Sequence, residues 1–106
     1  MMSDTDRRIL REFAKRLRER YSEARLWAFG SRARGDADPD SDLDVCVVIR
    51  QRTEAARTEI SDIAWEVGFE HNLVIATVVF SQDEFEHGPC SVSPLVSAVH
   101  EEGVAA

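Results

Sequence analysis

The sequence predicts an α+β domain: a small mixed sheet with helices on one face and an open site on the other. Three observations carry that expectation. Apolar residues recur at helical spacing over residues 4–20 and again over 54–71. Two largely apolar runs rich in β-branched residues, 43–49 and 73–80, read as strands. The order helix, strand, loop, strand, helix, strand, helical tail gives packed layers. At 106 residues the chain is long enough for one core. A single domain over 1–106 is expected, with no repeat, linker or low-complexity tract.

Each element has its own signal. Ser3 or Asp4 can cap a first helix running to about Glu19 or Arg20, and Ser3 with Asp6 forms a variant capping box. Ile9, Leu10, Phe13, Ala14, Leu17 and Tyr21 make its buried stripe. Ala24 to Phe29, with Leu26 and Trp27, reads as a short buried strand. Thr53 caps a second helix whose stripe is Ala56, Ile60, Ile63, Ala64 and Val67, and Asn72 closes it. Leu73 to Phe80 is the next strand. Ser81 and Glu84 then form a capping box for a helical turn ending near Gly88. Ser93 as cap, Pro94 at the first helical position and Gly103 as stop define a last helix that packs through Leu95, Val96 and Val99.

Charge narrows the function classes. The net charge of −7 divides into +5 over residues 1–35 and −12 over 36–106. Affinity for nucleic acid comes mainly from basic surface, so templated polymerisation is not expected. No apolar run reaches the length of a membrane span and the N-terminus has no signal-peptide core, which makes a cytoplasmic protein the default. Cys46 and Cys90 lack metal-ligand spacing, a disulfide between them is not expected, and Cys46 reads as a small half-buried filler.

The chemistry is concentrated in Phe29 to Ile49, FGSRARGDADPDSDLDVCVVI. Strand alternation projects Asp42 and Asp44 side by side, while Leu43, Val45, Val47 and Ile49 point the other way into a core. Two adjacent carboxylates suit a hard cation such as Mg²⁺, which keeps waters and pairs readily with phosphate. The Gly30-Ser31 turn offers the complement: close-approaching backbone N–H groups, a hydroxyl donor and the start of a helical turn. Asp36, Asp38 and Asp40 lack the Gly and distal Glu offsets of an EF-hand, so a Ca²⁺ loop is rejected.

Gly30, Ser31, Arg32, Ala33, Arg34 and Gly35, followed through the loop by Ser41, Asp42 and Asp44, match G-S-x-A-R-G-x-A-x-x-x-S-D-x-D without gaps. With this motif the chain resembles the minimal nucleotidyltransferases of the DNA polymerase β superfamily. The resemblance implies the small polymerase-β-like fold and transfer of a nucleoside monophosphate, AMP from ATP, to an acceptor hydroxyl. Gly30 and Ser31 would hold the leaving phosphates, Arg34 and Arg32 would meet the triphosphate, and Asp42 and Asp44 would bind Mg²⁺. It further implies an antitoxin acting on a HEPN-type partner protein, and it leaves a homo-oligomer open.

One departure from the family pattern keeps a rival open. Fuller sites carry a third carboxylate on the later strand, whereas Leu73 to Phe80 has none, and its place falls on Ala76 or Val74. Glu70 and Asp83 lie beyond the strand ends. His71 is the one histidine placed to stand in for the missing base, although all three histidines read more simply as isolated side chains. The alternative function is a weak or inactive module that binds nucleotide or a partner.

Overall fold

The first helix begins where a serine hydroxyl can replace a missing backbone acceptor. In the computed structural model, which describes residues 1–88 and 93–106, α1 spans Asp4–Arg18 and Ser3 Oγ accepts the Asp6 N–H at 3.1 Å. The reciprocal half of the expected capping box does not form, because the Asp6 carboxylate is bonded to Arg32 instead. Of the predicted stripe, Ile9, Leu10, Phe13, Ala14 and Leu17 are buried, while Tyr21 lies beyond the end of the helix and is partly buried.

β1 (Arg25–Phe29) leads directly into the single-turn α2 (Gly30–Arg34), and β2 (Leu43–Ile49) follows the acidic loop. α3 (Glu54–Glu70) is capped by Thr53 Oγ1, which accepts the Ala56 N–H. Asn72, at φ 55°, reverses the chain after α3 as the Leu73 N–H donates to the Gly68 carbonyl at 2.9 Å. β3 (Ile75–Ser81), α4 (Gln82–Glu86), α5 (Pro94–Glu102) and β4 (Val104–Ala105) complete the described elements. The Ser81–Glu84 capping box forms in full, and Ser93 and Pro94 start α5 as expected. Cys90 lies outside the described residues.

The sheet order is β3-β2-β1-β4, with β2 antiparallel to β1 and parallel to β3. A parallel neighbour requires a long crossover, which α3 provides. On one face Leu43, Val45, Val47 and Ile49 are fully buried in a cluster with Phe13, Leu17, Ile60 and Val67 from α1 and α3. The opposite face, expected to be free of helices, carries α4 and α5 over its far part, and among the described residues it is open at the end where β2 begins. Asp42 and Asp44 stand there, while Cys46 and Val48 further along are covered by Phe85 of α4 and Val96 and Val99 of α5. Trp27 stacks on Phe85 with ring centroids 5.3 Å apart.

That cover changes the reading of Cys46. It is fully buried rather than half-buried, and burial pushes its thiol up to about 12. The C-terminal β4 has no counterpart in the sequence expectation. It pairs Trp27 with Ala105 and Ala28 with Val104 at the edge of β1. A two-residue strand carries no periodicity to detect.

Candidate active site

Gly30 joins β1 to α2 at φ 77°, a conformation that favours glycine. The antiparallel register sets Phe29 opposite Asp44, which brings the turn against the carboxylate. A Cβ on Gly30 would lie 2.6 Å from Asp44 Oδ2. Glycine is therefore favoured by its dihedral, and any side chain here would have to push the Asp44 carboxylate aside. The Ser31 carbonyl accepts the N–H groups of Gly35 and Asp36, at 2.9 and 3.1 Å, and Gly35 ends α2 at φ 85°.

Asp42 is exposed and Asp44 is half-buried at the head of β2. Burial, and then the neighbouring charge of Asp42, pushes the Asp44 carboxyl above its ordinary value. No hydrogen bond or ion pair to either carboxylate occurs among the described residues. Carboxylate oxygens left free of protein donors are a suitable donor set for Mg²⁺ with its own waters and phosphate oxygens.

The parallel register pairs Asp44 with Ala76, and the Leu43 N–H bonds to the Val74 carbonyl at 2.9 Å. Both residues named as occupying the place of a third carboxylate therefore flank the aspartates, and neither is acidic. Among the described residues, no group of three or more His, Cys, Asp or Glu is arranged to hold a metal ion. His71 does not fill the gap: its Nε2 lies 2.5 Å from Glu12 Oε2, between α1 and α3. Glu70 is likewise drawn to α1, where Arg16 Nη2 is 2.6 Å from its Oε2. Asp83 lies in the first turn of α4, past the far end of β3.

Arg32 and Arg34, two positions apart on α2, have different surroundings. The Arg32 Nε donates to the Ser41 carbonyl at 2.7 Å, Nη2 to the Pro39 carbonyl at 2.9 Å, and Nη1 to both oxygens of Asp6 at 3.1 and 3.2 Å. All three nitrogens are engaged within the fold, which does not match the expectation that Arg32 meets a triphosphate. Arg34 is exposed and pairs with Asp36 and with Glu102 of α5. Glu102 Oε1 also accepts a long, 3.4 Å bond from the Gly30 N–H. Nothing in the sequence pointed to Glu102, which stands at the end of α5, where that helix packs against β1 and α2.

A cleft of about 560 Å³ borders the same loop, lined by Pro39, Ser41, Trp65, Phe69, Leu73 and Val74. Trp65 and Phe69 stack at 5.2 Å between centroids and remain 67% and 73% exposed.

A mixed sheet carrying a Gly-Ser turn against a carboxylate pair defines a nucleotidyltransferase-type domain. The nucleotidyltransferase domain family model matches residues 10–105, and the chain belongs to that family. A protein of Methanocaldococcus jannaschii, named as a candidate protein adenylyltransferase, is 29% identical over 77 residues, covering 70% of this chain and 78% of its own. Two solved structures share the fold. One is the toxin–antitoxin MntA–HpeT, in a variant with two aspartates changed to glutamate: TM-score 0.63, 18% identity, covering 90% of this chain and 69% of its own. The other is a candidate nucleotidyltransferase from Sulfolobus solfataricus: TM-score 0.50, 20% identity, covering 96% and 82%. The polymerase-β-like nucleotidyltransferase fold implied by the motif is the fold of the chain. No helix among the described residues is long and apolar enough to cross a membrane.

Proposed function

We propose that this domain is a Mg²⁺-dependent adenylyltransferase that moves AMP from ATP to a hydroxyl of a partner protein, as the antitoxin of a HEPN-type toxin. The observation that carries the reading is the contact of the Gly30 turn with Asp44, which like Asp42 has no donor among the described residues. The relative named as a candidate protein adenylyltransferase supports AMP as the group transferred, and the toxin–antitoxin neighbour supports the kind of acceptor.

In this reading Gly30 and Ser31 face the leaving phosphates, Arg34 pairs with the triphosphate, and Asp42 and Asp44 hold the metal. Bound Mg²⁺ would neutralise phosphate oxygens and polarise the acceptor hydroxyl. The acceptor oxygen bonds to the α-phosphorus as the bond to pyrophosphate breaks, and pyrophosphate leaves with the electron pair. With Ala76 opposite Asp44, β3 offers no carboxylate for the acceptor proton, which passes to water. Turnover is accordingly slow, since a positioned general base contributes about 10²–10⁴-fold. Glu102 shares Gly30 and Arg34 with the incoming phosphates and is displaced when they bind.

Incubation with labelled ATP, Mg²⁺ and the cognate partner tests the assignment. A labelled partner is expected from the wild type and none from Asp42→Ala or Asp44→Ala. Equal labelling by both variants would overturn the catalytic assignment. The residue pair Ala76 and Val74 favours a second reading, a module that neutralises its partner by binding alone. Neutralisation in cells by Asp42→Ala would select that reading.

A further inference from the structure

We propose that Arg32 is a positioning residue: it clamps the loop before Asp42 so that this carboxylate meets the metal in register with Asp44. The inference rests on the reading of Asp42 and Asp44 as the Mg²⁺ pair, and it removes Arg32 from the nucleotide contacts.

The loop from Asp36 to Asp42 needs such a clamp. It is acidic, contains Pro39, and lies mostly at the surface. Its internal backbone bond, from the Ser41 N–H to the Asp38 carbonyl at 3.0 Å, fixes a turn but not that turn's position relative to α2. Arg32 supplies the external tie. Its Nε and Nη2 hold the carbonyls of Ser41 and Pro39, one residue and three residues before Asp42.

The guanidinium is itself fixed from behind. Asp6 takes both bonds of Nη1, and the two side chains are only 13% and 11% exposed. With Nη1 on the carboxylate and Nε and Nη2 on the two carbonyls, three anchored nitrogens fix the guanidinium plane in a way that a single solvated pair does not. Asp6 is the one buried charged residue among the described residues, so its pairing with Arg32 is also what makes its burial tolerable. The chain of contacts runs from the first turn of α1, through α2, to the loop and then to Asp42. The Ser3–Asp6 capping box is left half-closed because the Asp6 carboxylate is used in this chain.

A lysine at position 32 discriminates positioning from stability. An ammonium keeps the charge that Asp6 requires, but it cannot present three nitrogens in a fixed plane to two carbonyls and a carboxylate. Arg32→Lys, the double variant Asp6→Asn with Arg32→Gln, and Arg34→Gln as a control are compared with the wild type. Amide hydrogen exchange of residues 36–42 is measured, together with ATP affinity with EDTA and across a MgCl₂ titration. Both Arg32 variants are expected to speed exchange in 36–42 selectively. They should raise the Mg²⁺ concentration needed for ATP binding by about 10–100-fold, as for loss of an outer partner of a metal ligand. Metal-free ATP affinity should be unchanged. Arg34→Gln, which in this loop gives up only its own pairing with Asp36, should weaken ATP binding without altering exchange in residues 37–42. Arg32→Lys should recover the melting temperature of the wild type but not its Mg²⁺ midpoint. Wild-type exchange rates in the Arg32 variants, or an equal loss of ATP affinity with and without Mg²⁺, would overturn the clamp. A wild type that binds no ATP with Mg²⁺ would instead overturn the transferase reading, and the exchange rates would still decide whether Arg32 orders the loop.

Discussion

The two faces of β2 differ in what their residues are for. Leu43, Val45, Val47 and Ile49 are all at zero exposure between α1 and α3. Asp42, Asp44, Cys46 and Val48 alternate with them along the same backbone, yet pass from exposed, through half-buried, to fully buried. One face is uniform because a continuous helix layer covers it. The other is graded because α4 and α5 reach only its far part. The gradient leaves half-burial for Asp44 alone, close to the Gly30 turn and outside the dry core. A single strand thus supplies stability on one side and a site for chemistry on the other.

The largest expected effect separates those faces. Ile49→Ala should lose about 2–5 kcal/mol of stability in urea unfolding, as a buried large-to-small change does. Asp44→Ala should lose none, since it removes a half-buried carboxylate with no bonding partner among the described residues, but should abolish the melting shift produced by ATP with Mg²⁺. Unfolding of Asp44→Ala at the same urea concentration as Ile49→Ala would break the division between faces.

Gly30→Ala tests the contact from the turn side. Its positive φ alone costs a residue with a side chain about 1–2 kcal/mol, and the new Cβ must also displace Asp44 Oδ2. Both stability and the melting shift with ATP and Mg²⁺ should fall, a combination that neither Ile49→Ala nor Asp44→Ala gives by itself.

The α4 cover has a smaller, pH-dependent contribution. Ser81→Ala should cost about 1 kcal/mol through loss of a helix cap. Bonding to the Ser81 backbone N–H holds the Glu84 carboxyl below its ordinary 4.5, despite a partial opposing effect of burial. A lowered folded value means the unfolded chain takes up the proton first. The contribution of Glu84 is therefore complete above pH 4.5 and disappears as pH falls through the lower folded value. The stability difference between wild type and Glu84→Gln should shrink over that acid range in pH-dependent unfolding. A constant difference would show that the carboxylate charge is not what the box uses.

The smallest effect concerns Glu102. Glu102→Gln removes the negative charge next to Gly30 and Arg34. It should tighten ATP binding by a few-fold, on the scale of a surface ion pair of up to about 1 kcal/mol. Calorimetric titration gives the direction directly, and weaker binding by the variant would mean that Glu102 supports the site instead of competing for it.

Local chemistry made most of the framework legible in the sequence. Ser3, Thr53, Ser81 and Ser93 cap their helices with their own side chains, and alternation in Leu43 to Ile49 sorts core from site without reference to any other element. The same alternation identified Asp42 and Asp44 as neighbours, and the family resemblance set the place of a third carboxylate at Ala76 or Val74, which the register lays beside them. Tertiary structure decided what depends on partners distant in the chain. The Phe29–Asp44 register brings Gly30 against a carboxylate, packing of α5 on β1 and α2 sets Glu102 at the turn, and α4 and α5 bury Cys46. Arg32 and Arg34 illustrate the limit best: two arginines in one short motif have the same local pattern. Only packing against α1 gives Arg32 a buried Asp6 and leaves Arg34 at the surface, because a guanidinium's role is set by the acceptors that the fold brings within its reach.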